Sequence, residues 1–309
     1  MSLSGNKKSV TKPVNGLLFL IPAYLIWGGS PIFWKALAHV SAFELLLQRT
    51  VWSFLFFLVM VVLQNRTEEL IQAIKKRSII LTLVVTTLLL STNWYLFIWA
   101  VNHDQILQTS LGYYINPLIM VLLGMIFLKE RLRPLQIIAL IIAGSGVIYY
   151  ALTLGQYPWI ALTIAFSFGF YSLLHKMTSV ASLTGLCIET MMLSIPALPY
   201  LVWLYLTGAG AMFHIGSGTD LLLVGTTLVT ALPLLLFTLG ARRSLLSTVG
   251  FTQYIAPSCT FILALFFYKE PFALEKLVTF LAIWVALILY SADSLYAYKK
   301  MRASMEKIN

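Results

Sequence analysis

The stretch YYINPLIMVLLGMIFLKE at residues 113–130 returns as QYIAPSCTFILALFFYKE at residues 253–270. Tyr114 matches Tyr254, Ile115 matches Ile255, Pro117 matches Pro257, and Phe127 matches Phe267. Lys129 matches Lys269 and Glu130 matches Glu270, every pair standing 140 residues apart. Each stretch is a long uncharged run stopped by lysine and glutamate. A run of about 20 apolar residues is the length a helix needs to cross about 30 Å of hydrocarbon.

The same texture extends outward along the whole chain. Of its 309 residues, 60% are hydrophobic and 10% charged, against about 45–50% and about 25% in a typical soluble domain. Eleven acidic residues are too few to cover a soluble globule of this size. Most soluble enzymes, disordered chains and nucleic-acid-binding modules are thereby excluded. Ten spans are read, at 14–35, 42–63, 79–100, 106–128, 134–151, 158–176, 184–206, 219–240, 247–268 and 275–295. Unpaired backbone groups are not tolerated in lipid, so these segments are expected to be helices. They are apolar on every side, unlike the alternating strands of a membrane barrel. GNKKS near the start lacks the strand and glycine spacing of a phosphate loop, which argues against an ATP-driven pump. The first span follows lysines, as a secretion signal would. It has a full span's length and no small-residue cleavage site, and is read as retained.

The formal charge of +10 reports orientation. Basic residues favour cytoplasmic loops. With the N-terminus inside, the cytoplasmic regions hold Lys7, Lys8, Lys12, Arg66, Lys75, Lys76, Arg77, Lys129, Arg131, Arg133, Lys176, Arg242, Arg243, Lys299, Lys300, Arg302 and Lys307. Only Lys35, Lys269 and Lys276 fall outside, and Arg49 lies within a span. Both termini are therefore expected in the cytoplasm, as an even number of spans also requires. The charge excess needs no nucleic-acid partner.

The expected fold class is an all-α polytopic membrane protein with ten transmembrane helices in two inverted five-helix repeats. A tail at 1–13 precedes the first repeat at 14–154. The second, inverted repeat follows at 155–295 and a cytoplasmic tail at 296–309. Five is odd, so the second unit starts on the opposite side of the membrane from the first. Carriers built this way commonly bind substrate near the midplane between repeats.

This plan resembles the EamA branch of the drug/metabolite transporter superfamily, and within it the RarD-like proteins that carry the name chloramphenicol-sensitive. AYLIWG at 23–28, NWYLFIWAVN at 93–102, SLGYYINPLIMVLLGMIFLKERLRPLQ at 110–136, AFSFGFYSLLHK at 165–176, GLCIETM at 185–191, STVGFTQYIAP at 247–257 and TFLAIWVALILY at 279–290 carry the resemblance. It implies a permease of the bacterial cytoplasmic (inner) membrane that exports small metabolites. The name of the RarD-like group does not establish chloramphenicol as cargo.

Candidate site residues come from polar chemistry within spans. Arg49 stands about seven residues, or roughly 10 Å, into span two. An ionisable group at that depth usually faces a cavity or partner. It reads either as a contact for an anionic group, such as a substrate carboxylate, or as a snorkelling or salt-bridged cation. Glu189, 140 residues later, is a candidate for an amine contact or a coupling proton, or else a member of a structural pair. Asn93, Trp94, Trp99, Tyr113, Asn116, Gln253, Tyr24 and Trp27 are candidates for cavity walls and ligand orientation. Trp and Tyr also favour membrane interfaces, so an aromatic alone does not distinguish the two. Pro117 and Pro257 are expected to kink their helices as paired bends, in a structural or gating role. Lys129–Glu130 and Lys269–Glu270 read as boundary structure. Ala139, Ala143, Gly144 and Gly146 would allow close helix packing, within one chain or in a homodimer. No cofactor, metal site or disulfide is expected, and no enzyme. Expected partners are a small-molecule substrate and membrane lipid, with proton coupling open and the protein a monomer or homodimer. The leading function is a secondary exporter of small amphipathic metabolites, amino acids or drug-like compounds by alternating access. An uptake permease or facilitative uniporter is the alternative. An intramembrane lipid-modifying enzyme is a remote third, since Asp104, Asp220 and Asp293 lie in separate segments.

Overall fold

The computed structural model describes residues 16–103, 105–153, 155, 157–267 and 274–306. The chain is all-helical: α1 (Leu17–Ala36), α2 (Ala42–Leu63), α3 (Thr67–Lys75), α4 (Arg77–Asn102), α5 (Ile106–Phe127) and α6 (Pro134–Thr153) form the first half. α7 (Trp159–Met177), α8 (Ser182–Thr207), α9 (Ser217–Arg243), α10 (Leu246–Gln253), α11 (Ile255–Ile262) and α12 (Leu274–Glu306) form the second. A π-helical turn, Leu263–Phe267, continues α11. Among the described residues, nine helices are long and apolar enough to cross a membrane: all but α3, α10 and α11. The chain is a polytopic helical membrane protein.

The 140-residue spacing reappears in the helix starts. α2, α4, α5 and α6 begin at Ala42, Arg77, Ile106 and Pro134, and α8, α9, α10 and α12 begin at Ser182, Ser217, Leu246 and Leu274. Packing between the halves has the same regularity. α2 lies on α8, α5 on α10 and α6 on α12, each helix against its own counterpart. The other large contacts exchange in couples: α4–α7 with α9–α1, α5–α7 with α11–α1, and α4–α8 with α9–α2. Where α5 crosses α10, the Tyr254 hydroxyl donates to the Tyr114 carbonyl at 3.1 Å. Gly250 makes that crossing close, because a Cβ there would lie 2.6 Å from the Pro117 carbonyl oxygen. Two main cores follow. One joins α1, α2, α4, α5, α7, α8, α9 and α10 around Leu20, Phe57, Met120, Leu186 and Phe237. The other joins α5, α6, α10 and α12 around Tyr114, Val147, Phe251 and Ile283.

The two expected proline bends differ. Proline offers no N–H and its ring clashes with the carbonyl four residues earlier. At Pro257 that carbonyl belongs to Gln253, where α10 ends, so span 247–268 is a chain of short helical pieces. Pro117 sits inside the uninterrupted α5. The charged stretch after span two forms a short amphipathic helix, α3, anchored by buried Ala73 against Leu83, Val180 and Ile188. α12 runs past the expected span end at 295 to Glu306. Three of the four small residues of α6 serve packing within the chain: Ala139 and Ala143 are buried, and a Cβ on Gly146 would meet Ala282 of α12 at 2.8 Å, while Gly144 has open space around it.

Candidate functional site

α2 is started by Ser41, whose hydroxyl accepts from the Glu44 amide at 3.2 Å. Glu44 in turn accepts from the Ala211 amide at 2.9 Å, tying the entry of α2 to the α8–α9 loop. This fixed start sets the depth of Arg49. Its guanidinium carbon lies 4.2 Å from the ring centroid of Trp94 on α4. Its Nε is buried without a hydrogen-bond partner. Among the described residues, no carboxylate comes within 4.0 Å of it. A cation facing a ring is attracted by the ring's quadrupole, which orients the guanidinium but does not neutralise it. Tyr113 is 38% accessible, while its neighbour Tyr114 is 4% accessible. The Tyr113 ring also meets Phe97 at 6.1 Å. Arg49 of α2 and Trp94 of α4 thus meet, and Tyr113 of α5 borders open space.

The amides do other work. Asn93 Nδ2 donates to the Ile164 carbonyl at 2.9 Å and to Ser167 Oγ at 3.2 Å. Asn116 Nδ2 donates to the next carbonyl, Ala165, at 2.6 Å. Two helices therefore clasp consecutive carbonyls of α7. Asn116 Oδ1 and Gln253 Oε1 are buried and lack partners. Tyr24 and Trp27 form an aromatic box with Phe168 and Phe237, with centroid separations of 5.3–6.3 Å. The Tyr24 hydroxyl is spent on the Val249 carbonyl at 3.2 Å. Trp99 stacks on His103 at 4.2 Å and meets Trp159 at 5.9 Å, at the far end of α4. Trp99 therefore braces a helix end in this structure.

Glu189 forms a second polar centre. It is fully buried. Its Oε1 is bonded by His175 Nε2 at 2.8 Å and by the Thr86 hydroxyl. The Tyr171 hydroxyl donates to its Oε2 at 3.3 Å. Glu189 thus pairs with His175, and the structure does not join it to Arg49. Tyr171 carries this centre back to the aromatic box, stacking on Phe168 at 5.7 Å. One turn beyond, Lys176 Nζ donates to the carbonyls of Ala241 at 3.0 Å and of Ser244. Arg242 returns the contact from α9, donating to the carbonyls of His175 at 3.2 Å and of Thr178. Each helix end is closed by the other's cation. Beside it, Glu130 accepts from the amides of Leu246 at 2.6 Å and Ser247 at 2.9 Å, and so caps α10. Lys269–Glu270 lie outside the described residues.

His175, Tyr171 and Thr86 escaped the sequence reading. The available signal was the i,i+4 spacing of Tyr171 and His175 at the end of a span facing a buried acid. A second, mostly apolar groove of about 440 Å³ lies between α4 and α7, lined by Leu88, Thr92, Thr163, Phe166 and Ser167 among others. Among the described residues, no group of three His, Cys, Asp or Glu side chains could hold a metal ion.

Comparison with known proteins bears on this arrangement. Residues 14–152 match the EamA-like transporter family. The chain is 44% identical to the uncharacterized transporter YojE of Bacillus subtilis, over 89% of this chain and 93% of that one. It is 46% identical to an uncharacterized transporter of Vibrio cholerae, over 91% and 93%. It is 43% identical to protein RarD of Escherichia coli, over 92% and 96%. A solved crystal structure, 17% identical, superposes with a TM-score of 0.69 over 90% of this chain and 97% of the other, and shares the fold. The family and the multi-pass helical architecture place the protein in the bacterial inner membrane. The chain belongs to the EamA family of the drug/metabolite transporter superfamily and is closely related to the RarD-like permeases.

Proposed function

We propose that this transporter exports small amphipathic solutes bearing a carboxylate, by alternating access between two inverted five-helix repeats with both termini cytoplasmic. One observation carries the substrate class: Arg49 is a half-buried cation whose guanidinium faces the Trp94 ring and whose buried Nε has no partner. A desolvated charge without a counter-ion is costly. A substrate carboxylate satisfies the guanidinium and leaves Trp94 and Tyr113 to wall the apolar part of the solute. The inverted plan is supported by the helix starts that recur after 140 residues and by the contact couples that exchange between halves. The 17-to-3 partition of basic residues supports the orientation. An inward proton gradient is the natural driving force, with the buried Glu189–His175 pair as the coupling centre.

The test is reconstitution into oriented vesicles. Carboxylated metabolites, their uncharged amides, amino acids and amphenicol drugs are offered with and without a proton gradient. Saturable flux of carboxylates from the cytoplasmic face, absent for the amides, is the expected result. Equal flux of acid and amide overturns the substrate class. Flux only toward the cytoplasmic face assigns an uptake permease.

A further inference from the structure

We propose that His175 and Glu189 form a proton switch whose protonation opens the Lys176–Arg242 latch. This deepens the transport reading above and rests on it for its physiological purpose.

The carboxylate of Glu189 receives three side-chain donors, from Thr86, Tyr171 and His175. His175 Nε2 then carries its proton toward Glu189, and Nδ1 holds the lone pair. Nδ1 is buried and has no partner. The groups facing the pair are few. α7 contributes Tyr171 and His175 themselves, and α4 contributes the uncharged Thr86. α9 contributes Arg242, which reaches the backbone of His175. α3 contributes apolar Ala73 to the neighbouring cluster, and the latch cations have Glu130 of α5 (toward Lys176) and Glu69 of α3 with Arg243 of α9 (toward Arg242) within electrostatic reach. No cation of α2, α3 or α8 among the described residues lies within 4.0 Å of the carboxylate. With Glu189 ionised and His175 neutral, the proposed centre holds one net negative charge in a fully buried position.

Adding one proton at Nδ1 forms a single N–H bond and cancels that charge. It also creates a buried donor with nothing to accept from it, an arrangement that costs as much as a lost hydrogen bond. The space over the ring is taken by α8, where a Cβ on Gly185 would lie 3.6 Å from His175 Cε1. The new donor is satisfied only if the end of α7 turns or draws away. That end is what Arg242 and Lys176 hold, through the carbonyls of His175, Thr178, Ala241 and Ser244. A proton therefore favours the conformer in which the latch is broken, by the differential affinity of the two conformers for it. On release from the open conformer the imidazole returns to neutral and the latch recloses. In an exporter this makes an inward proton gradient drive the return to the cytoplasm-facing state.

The experiment measures the latch directly and needs no substrate. Cys187 and Cys259, the two cysteines, are replaced by alanine. Spin labels are placed at exposed Met177 and Leu245, one on each helix end, and their separation is read by pulsed electron resonance in lipid nanodiscs. A longer-distance population that grows about tenfold as the pH falls from about 8 to about 5 is expected. In His175→Gln, which keeps an N–H for Glu189 but does not titrate, the population is expected to stay constant with pH. In Arg242→Ala the longer distance is expected at every pH. A pH-driven shift that survives His175→Gln overturns the proposal, as does a latch that stays closed in Arg242→Ala. Glu189→Gln, checked for folding by its melting curve, gives an independent second loss of pH response. Failure of all solutes to move in vesicles would sink the transport reading and leave this distance measurement intact.

Discussion

Arg49→Met separates a binding cation from a structural one, because the two readings move stability in opposite directions. The guanidinium stacks 4.2 Å from the Trp94 centroid, a contact worth about 2 kcal/mol when desolvated. Truncating one member of a buried, hydrogen-bonded charge pair costs about 2–5 kcal/mol of binding. At about 1.4 kcal/mol per factor of ten, the lower figure alone weakens half-saturation for a carboxylate solute about 30-fold. The amide of the same solute, which makes no ion pair, is expected to change less than about threefold. Stability should respond the other way. With no protein carboxylate within 4.0 Å among the described residues, methionine leaves no stranded partner and removes a desolvated charge. Exchanging buried ionic groups for apolar ones of like volume is often neutral or stabilising by about 1–4 kcal/mol. The ring contact is lost against that gain, so the unfolding temperature in detergent is expected to hold or rise. Had Arg49 been half of a fixed salt bridge, the stranded acid would cost about 3–5 kcal/mol. A lower melting temperature with unchanged half-saturation for the carboxylate refutes the reasoning.

Asn93→Ala removes both contacts to α7, leaving Ser167 Oγ bonded to the Ile164 carbonyl at 3.1 Å. A loss of about 1–3 kcal/mol is expected in the melting curve, with solute preference unchanged in competition assays. Gly28→Ala places a Cβ 2.6 Å from that of Cys259 and 2.9 Å from the Ala256 carbonyl oxygen. Overpacking of this kind costs about 1–3 kcal/mol, so α1 should part from α11 and the melting temperature fall. Combining it with Cys259→Gly restores part of the loss if that contact is responsible. Glu130→Gln weakens the charged cap on α10 by about 1–3 kcal/mol. Hydrogen exchange of the first α10 amides should quicken. Arg133→Ala, by contrast, breaks a pair with Asp293 whose arginine is 45% exposed, and about 1 kcal/mol or less is expected from melting.

Hydropathy made the spans legible because lipid imposes a length and a polarity that few loops satisfy. The repeat was legible from six matched residues, and the helix starts keep the same interval. Pro257 and Pro117 looked alike in sequence, yet one ends a helix and the other does not. That difference depends on what surrounds the bend, which spacing does not encode. Arg49 was recognisable as anomalous, but its ring partner was not, because Trp94 is one of eight tryptophans. Glu189 was legible as a buried acid. Its partner His175 was not, since a histidine at a span end has many uses and helix rotation decides which it takes. α3 was hidden for a related reason: a charged stretch of nine residues reads as loop until Ala73 finds a core to enter.

The broken span 246–267 has an energetic consequence. In a carrier whose two end states are interconverted by exchanging the roles of its halves, identical halves would make those states degenerate. Here one member of the matched pair, α5, is continuous and the other is jointed at Tyr254. Under the alternating-access mechanism proposed above, the joint lifts that degeneracy and gives the empty protein a preferred resting side. Each 1.4 kcal/mol of that bias changes the ratio of the two populations about tenfold. The sequence difference at the joint is thus a setting for how much of the time the site waits on each face of the membrane.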